Sequence, residues 1–165
     1  MTLDISSLVQ PDPGLFLPAL DVHRREELFA AFVEALAAQG VALHADALLR
    51  LLLEREALGT TGLGGGVAIP HARAFVVGRP AIACARLRRA LDYGAADGVP
   101  VQVALLVVAP YGNAGSLYTP LLAAVADAAH DEAARRDLLG IETFEDFAAV
   151  LRTTLRPRLR QVLAR

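Results

Sequence analysis

Residues 99–108 form the most continuous apolar segment of the chain, interrupted by little more than Pro100 and Gln102. A strand apolar on both faces must be covered on both, so this run reads as the central strand of a sheet with helices packed against it. Neighbouring segments fit that frame. Residues 80–87 carry apolar side chains at alternate positions, and Val67, Ala68 and Ile69 read as a short buried strand. Helical periodicity places a helix from an Asp21 cap to Gln39, with Leu28, Phe29, Phe32, Val33 and Leu36 on one face and Gly40 ending it. A second helix is predicted over 45–58, with Leu48, Leu49, Leu51, Leu52 and Leu53 as its core side. Residues 116–129 predict a third, with Pro120 in its first turn and Leu121, Leu122, Val125 and Ala126 facing inward. Two more follow over 133–139 and 143–155, the latter opened by a Thr143/Asp146 capping box. Pro11, Pro13 and Pro18, set among Leu8, Val9, Leu15 and Phe16, imply irregular or short-strand structure at the start. The fold class is α/β: a mixed sheet flanked by helices, in one sandwich domain over 1–155.

Residues 156–165 hold four arginines and read as a solvated basic tail, with a docked helix or a contact surface as alternatives. The 165-residue length and 55% hydrophobic content support one real core. A net charge of −2 gives no case for nucleic acid or an anionic membrane as partner. All sixteen basic residues are arginine. The single cysteine, Cys84, excludes an internal disulfide and reads as buried and inert. No apolar run reaches spanning length and no secretory layout opens the chain, so no membrane insertion and a cytoplasmic location are expected. No His/Cys/Asp/Glu cluster has metal-ligand spacing, and no cofactor is expected.

Chemistry concentrates at Gly62-Leu63-Gly64-Gly65-Gly66-Val67-Ala68-Ile69-Pro70-His71. Glycines permit positive φ and a close approach to a ligand, and Pro70 delivers His71 at a strand end. The reading places His71 at the mouth of the glycine loop, as an imidazole able to accept and release a phosphoryl group. A histidine that only caps a turn is the alternative. Arg55 sits in the last turn of the second predicted helix, within reach of that loop, unless it pairs with Glu54 or Glu56. Asp97 reads as a turn-former rather than a base, and His23, His44 and His130 as ordinary.

The stretch Arg55-Glu56-x-x-Gly59-x-Thr61-Gly62-Leu63-Gly64-x-Gly66-Val67-Ala68-Ile69-Pro70-His71 resembles the signature of the fructose/mannitol-type IIA domains of the bacterial phosphoenolpyruvate-dependent sugar phosphotransferase system, a group that includes the nitrogen-regulatory IIA proteins. The similarity extends through Ala90-Leu91-Asp92-Tyr93 and Asp97-Gly98-Val99-Pro100-Val101, and from the Asp21 helix to Phe147. The resemblance implies that a histidine-phosphorylated carrier protein hands its phosphoryl group to His71, with Arg55 holding it. Catalysis is then mostly positioning and charge stabilisation, which the amides of Gly64, Gly65 and Gly66, a helix N-terminus and Arg55 would supply. It also implies a phosphotransferase with a regulatory target or a sugar permease downstream. A degenerate domain that only binds proteins is the reading from another class. The chain departs from the family at the helix after residue 115. Where a second histidine is usual, within a pattern like His-Leu-x-x-Leu, Ser116 stands. Its hydroxyl can donate to a phosphate or simply cap the helix.

Overall fold

The computed structural model describes residues 10–165. Leu8 and Val9 lie outside the described residues. A 3₁₀ turn, Pro13–Leu15, leads into β1 (Phe16–Leu20), followed by α1 (Arg25–Ala38) and α2 (Ala45–Ala57). Three short strands come next: β2 (Gly62–Gly64), β3 (Val67–Ala68) and β4 (His71–Arg73). The long strands β5 (Ala81–Leu91) and β6 (Val101–Ala109) precede a helical half made of α3 (Tyr118–His130), α4 (Glu132–Leu139), α5 (Phe144–Val150) and α6 (Arg156–Leu163). The sheet order is β1-β5-β6-β3-β2, and β4 also pairs with β6, beyond β3. β1 runs parallel to β5, β5 is antiparallel to β6, and both β3 and β4 run parallel to β6. The sheet is mixed, as expected.

β6 is buried on both faces because two helical layers claim alternate residues. Ala104, Leu106 and Val108 pack with Phe29, Phe32, Leu48 and Leu52 of α1 and α2. Val103, Leu105 and Val107 pack with Leu121, Val125, Leu138 and Phe147 of α3, α4 and α5. Period-two alternation thus divides one apolar run between two cores.

Several boundaries differ from the sequence reading. Asp21 is not a cap: α1 begins four residues later after an uncapped Arg24, and Asp21 instead accepts a hydrogen bond from Arg89 at 2.7 Å. On α2 only Leu48 and Leu52 of the five leucines are buried, and Leu51 is exposed. β5 continues to Leu91, past the predicted end at residue 87. Its exposed Arg88 and Arg89 lie within a register irregularity between Arg86 and Leu91, and their charges hide the strand from a hydropathy reading. The Thr143/Asp146 capping box is present as predicted. The helix it opens is interrupted by a π turn, Leu151–Leu155, just before Pro157, which has no N–H to return to the Thr153 carbonyl.

The arginine-rich terminus corrects the solvated-tail reading. Residues 156–163 form α6, packed on α3, with Leu159 fully buried. Arg158 reaches Asp127 at 3.1 Å and Asp131 at 3.5 Å. Leu159→Ala is expected to lower the unfolding free energy by about 2–5 kcal/mol in urea denaturation. A loss under about 0.5 kcal/mol would mean that α6 adds nothing to the core.

Candidate functional site

Pro70 interrupts the pairing along β6 between β3 and β4, because it offers a carbonyl but no N–H: its oxygen accepts from Val107 N at 3.1 Å. His71 follows in register with Val107, half-buried, as the first residue of β4. Its Nδ1 lies 2.7 Å from the Ile69 carbonyl oxygen. A carbonyl can only accept, so Nδ1 carries the proton and Nε2 keeps its lone pair. Burial pushes the imidazole pKa below its ordinary value, and the Arg55 charge pushes the same way, against the Ile69 hydrogen bond and Glu56. The ring is therefore held neutral, with one nitrogen free to act as a nucleophile.

Arg55 leaves the last turn of α2 and donates from Nη1 to the Gly59 carbonyl at 3.1 Å. It pairs with neither Glu54 nor Glu56. Glu56 turns inward instead, where its carboxylate accepts from Thr61 N at 2.9 Å and Thr61 Oγ1 at 2.6 Å. The Tyr93 hydroxyl donates to Glu56 at 3.3 Å, and Arg25 of α1 completes the set, also at 3.3 Å, its guanidinium 5.6 Å from the centre of the Tyr93 ring. This buried cluster clamps the end of α2 to the segment entering β2. Residue 56 points into the core while residue 55 faces the cleft.

That cleft, of about 470 Å³, is lined by Arg55, His71, Arg73 and Tyr118, with Leu51 and Leu58 as apolar wall and Glu54 as its carboxylate. Arg73 shares a strand face with His71 at spacing two. Its Nε donates to Pro110 O and its Nη2 to Gly112 O, both at 3.2 Å. Tyr118, in the first turn of α3, places its ring centre 6.2 Å from that of His71. Among the described residues, no group of three or more His, Cys, Asp or Glu is arranged to hold a metal ion.

The structure does not bring the glycine loop to His71. Gly64, Gly65 and Gly66, with φ of 86°, 63° and 89°, make the tight β2–β3 turn. Gly66 O accepts from Gln102 N and Val103 N, while His71 pairs with Val107. Four extended residues lie between Gly66 and His71, so the two are five residue steps apart, about 16 Å at the usual rise. The Gly65 amide is already used, donating to Asp97 Oδ2 at 2.8 Å. Asp97 is thus the turn-former that the sequence implies, its pKa lowered by the Gly65 and Val99 amides. The absence of side chains makes room for protein rather than ligand: a Cβ on Gly65 would stand 2.5 Å from Arg135 Cδ.

Ser116 is also displaced from its predicted role. It is exposed, ends a 3₁₀ turn (Asn113–Gly115), and does not line the cleft. α3 has no side-chain cap, and Tyr118 stands beside His71. Arg73 was missed, although its spacing of two from His71 on a strand could have found it; Tyr118 and the buried role of Glu56 carried no sequence signal.

A model of the family described as "Phosphoenolpyruvate-dependent sugar phosphotransferase system, EIIA 2" matches residues 12–153. The chain is 36% identical over 130 residues to a nitrogen regulatory protein of Bradyrhizobium diazoefficiens, covering 79% of this chain and 82% of that one. It is 35% identical over 106 residues to a fructose-specific EIIA component of Haloferax volcanii, covering 64% and 68%. The crystal structure of the nitrogen regulatory protein IIA-Ntr from Neisseria meningitidis superposes with a TM-score of 0.76 at 28% identity, over 85% of this chain and 94% of that one.

Because burial and Arg55 both disfavour the imidazolium, His71 is expected to titrate below the ordinary value of about 6.5, with Arg55→Gln moving its midpoint upward in an NMR titration. The sign for stability follows. Between the folded value and about pH 6.5 the unfolded chain binds the extra proton, so this contribution is complete above that window and lost as pH falls through the folded value.

Proposed function

We propose that this chain, which belongs to the phosphoenolpyruvate-dependent sugar phosphotransferase system EIIA 2 family, accepts a phosphoryl group on Nε2 of His71 from a histidine-phosphorylated carrier protein. The observation that supports this most directly is the hydrogen bond from Nδ1 to the Ile69 carbonyl, which fixes the tautomer and leaves Nε2 as the reactive atom. As the Nε2–P bond forms, the carrier's N–P bond breaks, and its electron pair returns to the carrier's imidazole. The proton stays on Nδ1 throughout. Arg55, on the wall of the same cleft, balances charge on the transferring oxygens. The glycine loop and Ser116 have no part in this reading, since neither reaches the cleft.

The carrier docks over the cleft wall at Leu58, which stands highly exposed, and over the equally exposed Phe75, which lies against Tyr111 with ring centres 4.7 Å apart and adjoins the cleft through Arg73. Such apolar surface around a reactive atom suits a transient protein partner better than a small substrate. The output is regulatory: phosphorylation places close to two negative charges in a cleft already lined by two arginines and changes what binds there. The similarity to proteins named nitrogen regulatory supports that output. The comparably strong match to a fructose-specific component supports a sugar-relay reading, in which a permease component takes the group onward. Among the described residues no helix is long and apolar enough to cross a membrane.

Incubation with phosphoenolpyruvate, the first enzyme of the system and the carrier should add one acid-labile phosphoryl group, seen by intact mass, and His71→Ala should abolish it. Arg55→Ala should slow the transfer by on the order of 100-fold while leaving the melting temperature nearly unchanged. Absence of label on the wild-type chain would defeat the acceptor reading in favour of a binding module.

A further inference from the structure

We infer that Tyr118 is a second phosphoryl-contacting residue of this site, its hydroxyl donating a hydrogen bond to an oxygen of the group on His71, and that Arg73 is the residue that positions it. The inference rests on the acceptor reading of His71. Tyr118 is half-buried, its ring packed on the edge of the α3–α6 core and its other side open to the cleft. Packing explains the ring but not the hydroxyl, and phenylalanine would pack as well. Among the described residues that hydroxyl makes no hydrogen bond to side chain or backbone, whereas the more buried Tyr93 bonds Thr61 at 2.7 Å. An unpaired donor on a partly desolvated ring 6.2 Å from the imidazole, in a cleft lined by the guanidinium groups of Arg55 and Arg73, is suited to an anionic oxygen. Burial pushes the Tyr118 phenol up to about 12, so it remains an O–H donor at any pH the protein meets.

Arg73 fixes where that donor stands. Its guanidinium carbon lies 6.0 Å from the Tyr118 ring centre and 5.7 Å from that of Tyr111, so it is sandwiched into the aromatic cluster. Its two bonds to Pro110 O and Gly112 O tie β4, which carries His71, to the loop that launches α3. Gly115 makes this approach possible, since a Cβ there would meet Pro110 O and come within 3.2 Å of Arg73 Nε. Nε and Nη2 are both committed to carbonyls, so Arg73 acts through Tyr118 rather than as a primary phosphate ligand.

Phosphoramidate gives a test that needs no carrier: Nε2 attacks its phosphorus, the P–N bond breaks, and ammonia leaves. The rate of labelling at His71, read by peptide mass mapping, should fall about tenfold or more in Tyr118→Phe, as expected for loss of a hydrogen bond to a charged group, with thermal stability unchanged. Arg73→Gln should also slow labelling. In the Tyr118→Phe background, however, it should slow labelling no further, whereas a role independent of Tyr118 would make the two losses add. A wild-type chain that labels while Tyr118→Phe labels equally fast overturns the role of Tyr118 and leaves the acceptor reading standing. A wild-type chain that takes no phosphoryl group at His71 overturns both.

Discussion

The arrangement depends on one strand being buried on both faces. β6 presents Val103, Leu105 and Val107 to one helical layer and Ala104, Leu106 and Val108 to the other. A one-residue slip would exchange the two sets, placing alanine where leucine packs, so the register is strongly specified. β3 and β4 both take their positions from this strand, at Val103 and Val107. The same ladder that fixes His71 at one end fixes the glycine turn at the other, and the distance between them follows from strand rise alone.

A second constraint decides which way α2 points its last turn. Glu56 is a nearly buried carboxylate, tolerable because Thr61, Tyr93 and Arg25 satisfy its oxygens. Removing a partner would leave an uncompensated charge in the core, so the cluster acts as a lock on the rotation of the helix end. Successive residues on a helix are offset by about 100°. Locking Glu56 inward therefore directs Arg55 to the cleft, where its charge reaches both His71 and Tyr118. The acidic neighbour that looks like a competitor for Arg55 is instead what frees it.

The layered fold was legible because continuous apolar runs and helical periodicity are properties of local sequence. His71 and Arg55 were legible as members of a pattern, together with the capping box at Thr143. What failed has one physical origin. A glycine run signals only that something comes close, and here Arg135, Asp97 and Leu139 of the same chain come close rather than a ligand. Ser116 failed for a related reason: a serine near a helix start suggests a cap, yet the 3₁₀ turn at Asn113–Gly115 moves the helix two residues on and gives Tyr118 the position beside His71. The basic terminus was misread because composition outweighed Leu159, a single apolar residue that fixes a whole helix.

Tyrosine rather than an ionisable base beside the acceptor has a consequence for how the site signals. With His71 held neutral, the charges lining the cleft are the cations Arg55 and Arg73 and the anion Glu54. A phosphoryl group brings nearly two negative charges at neutral pH, and the ring that keeps its Nδ1 proton gains one positive charge, so the net positive charge of the pocket is cancelled. Among the described residues, no second imidazole lines the cleft to take up a proton and soften that change. On the proposed reading, a dianionic phosphoryl group is then presented to whatever docks on Leu58 and Phe75, and like-charge juxtaposition across an interface costs several kcal/mol. A partner surface complementary to one state is for that reason opposed by the other, without any movement of the backbone.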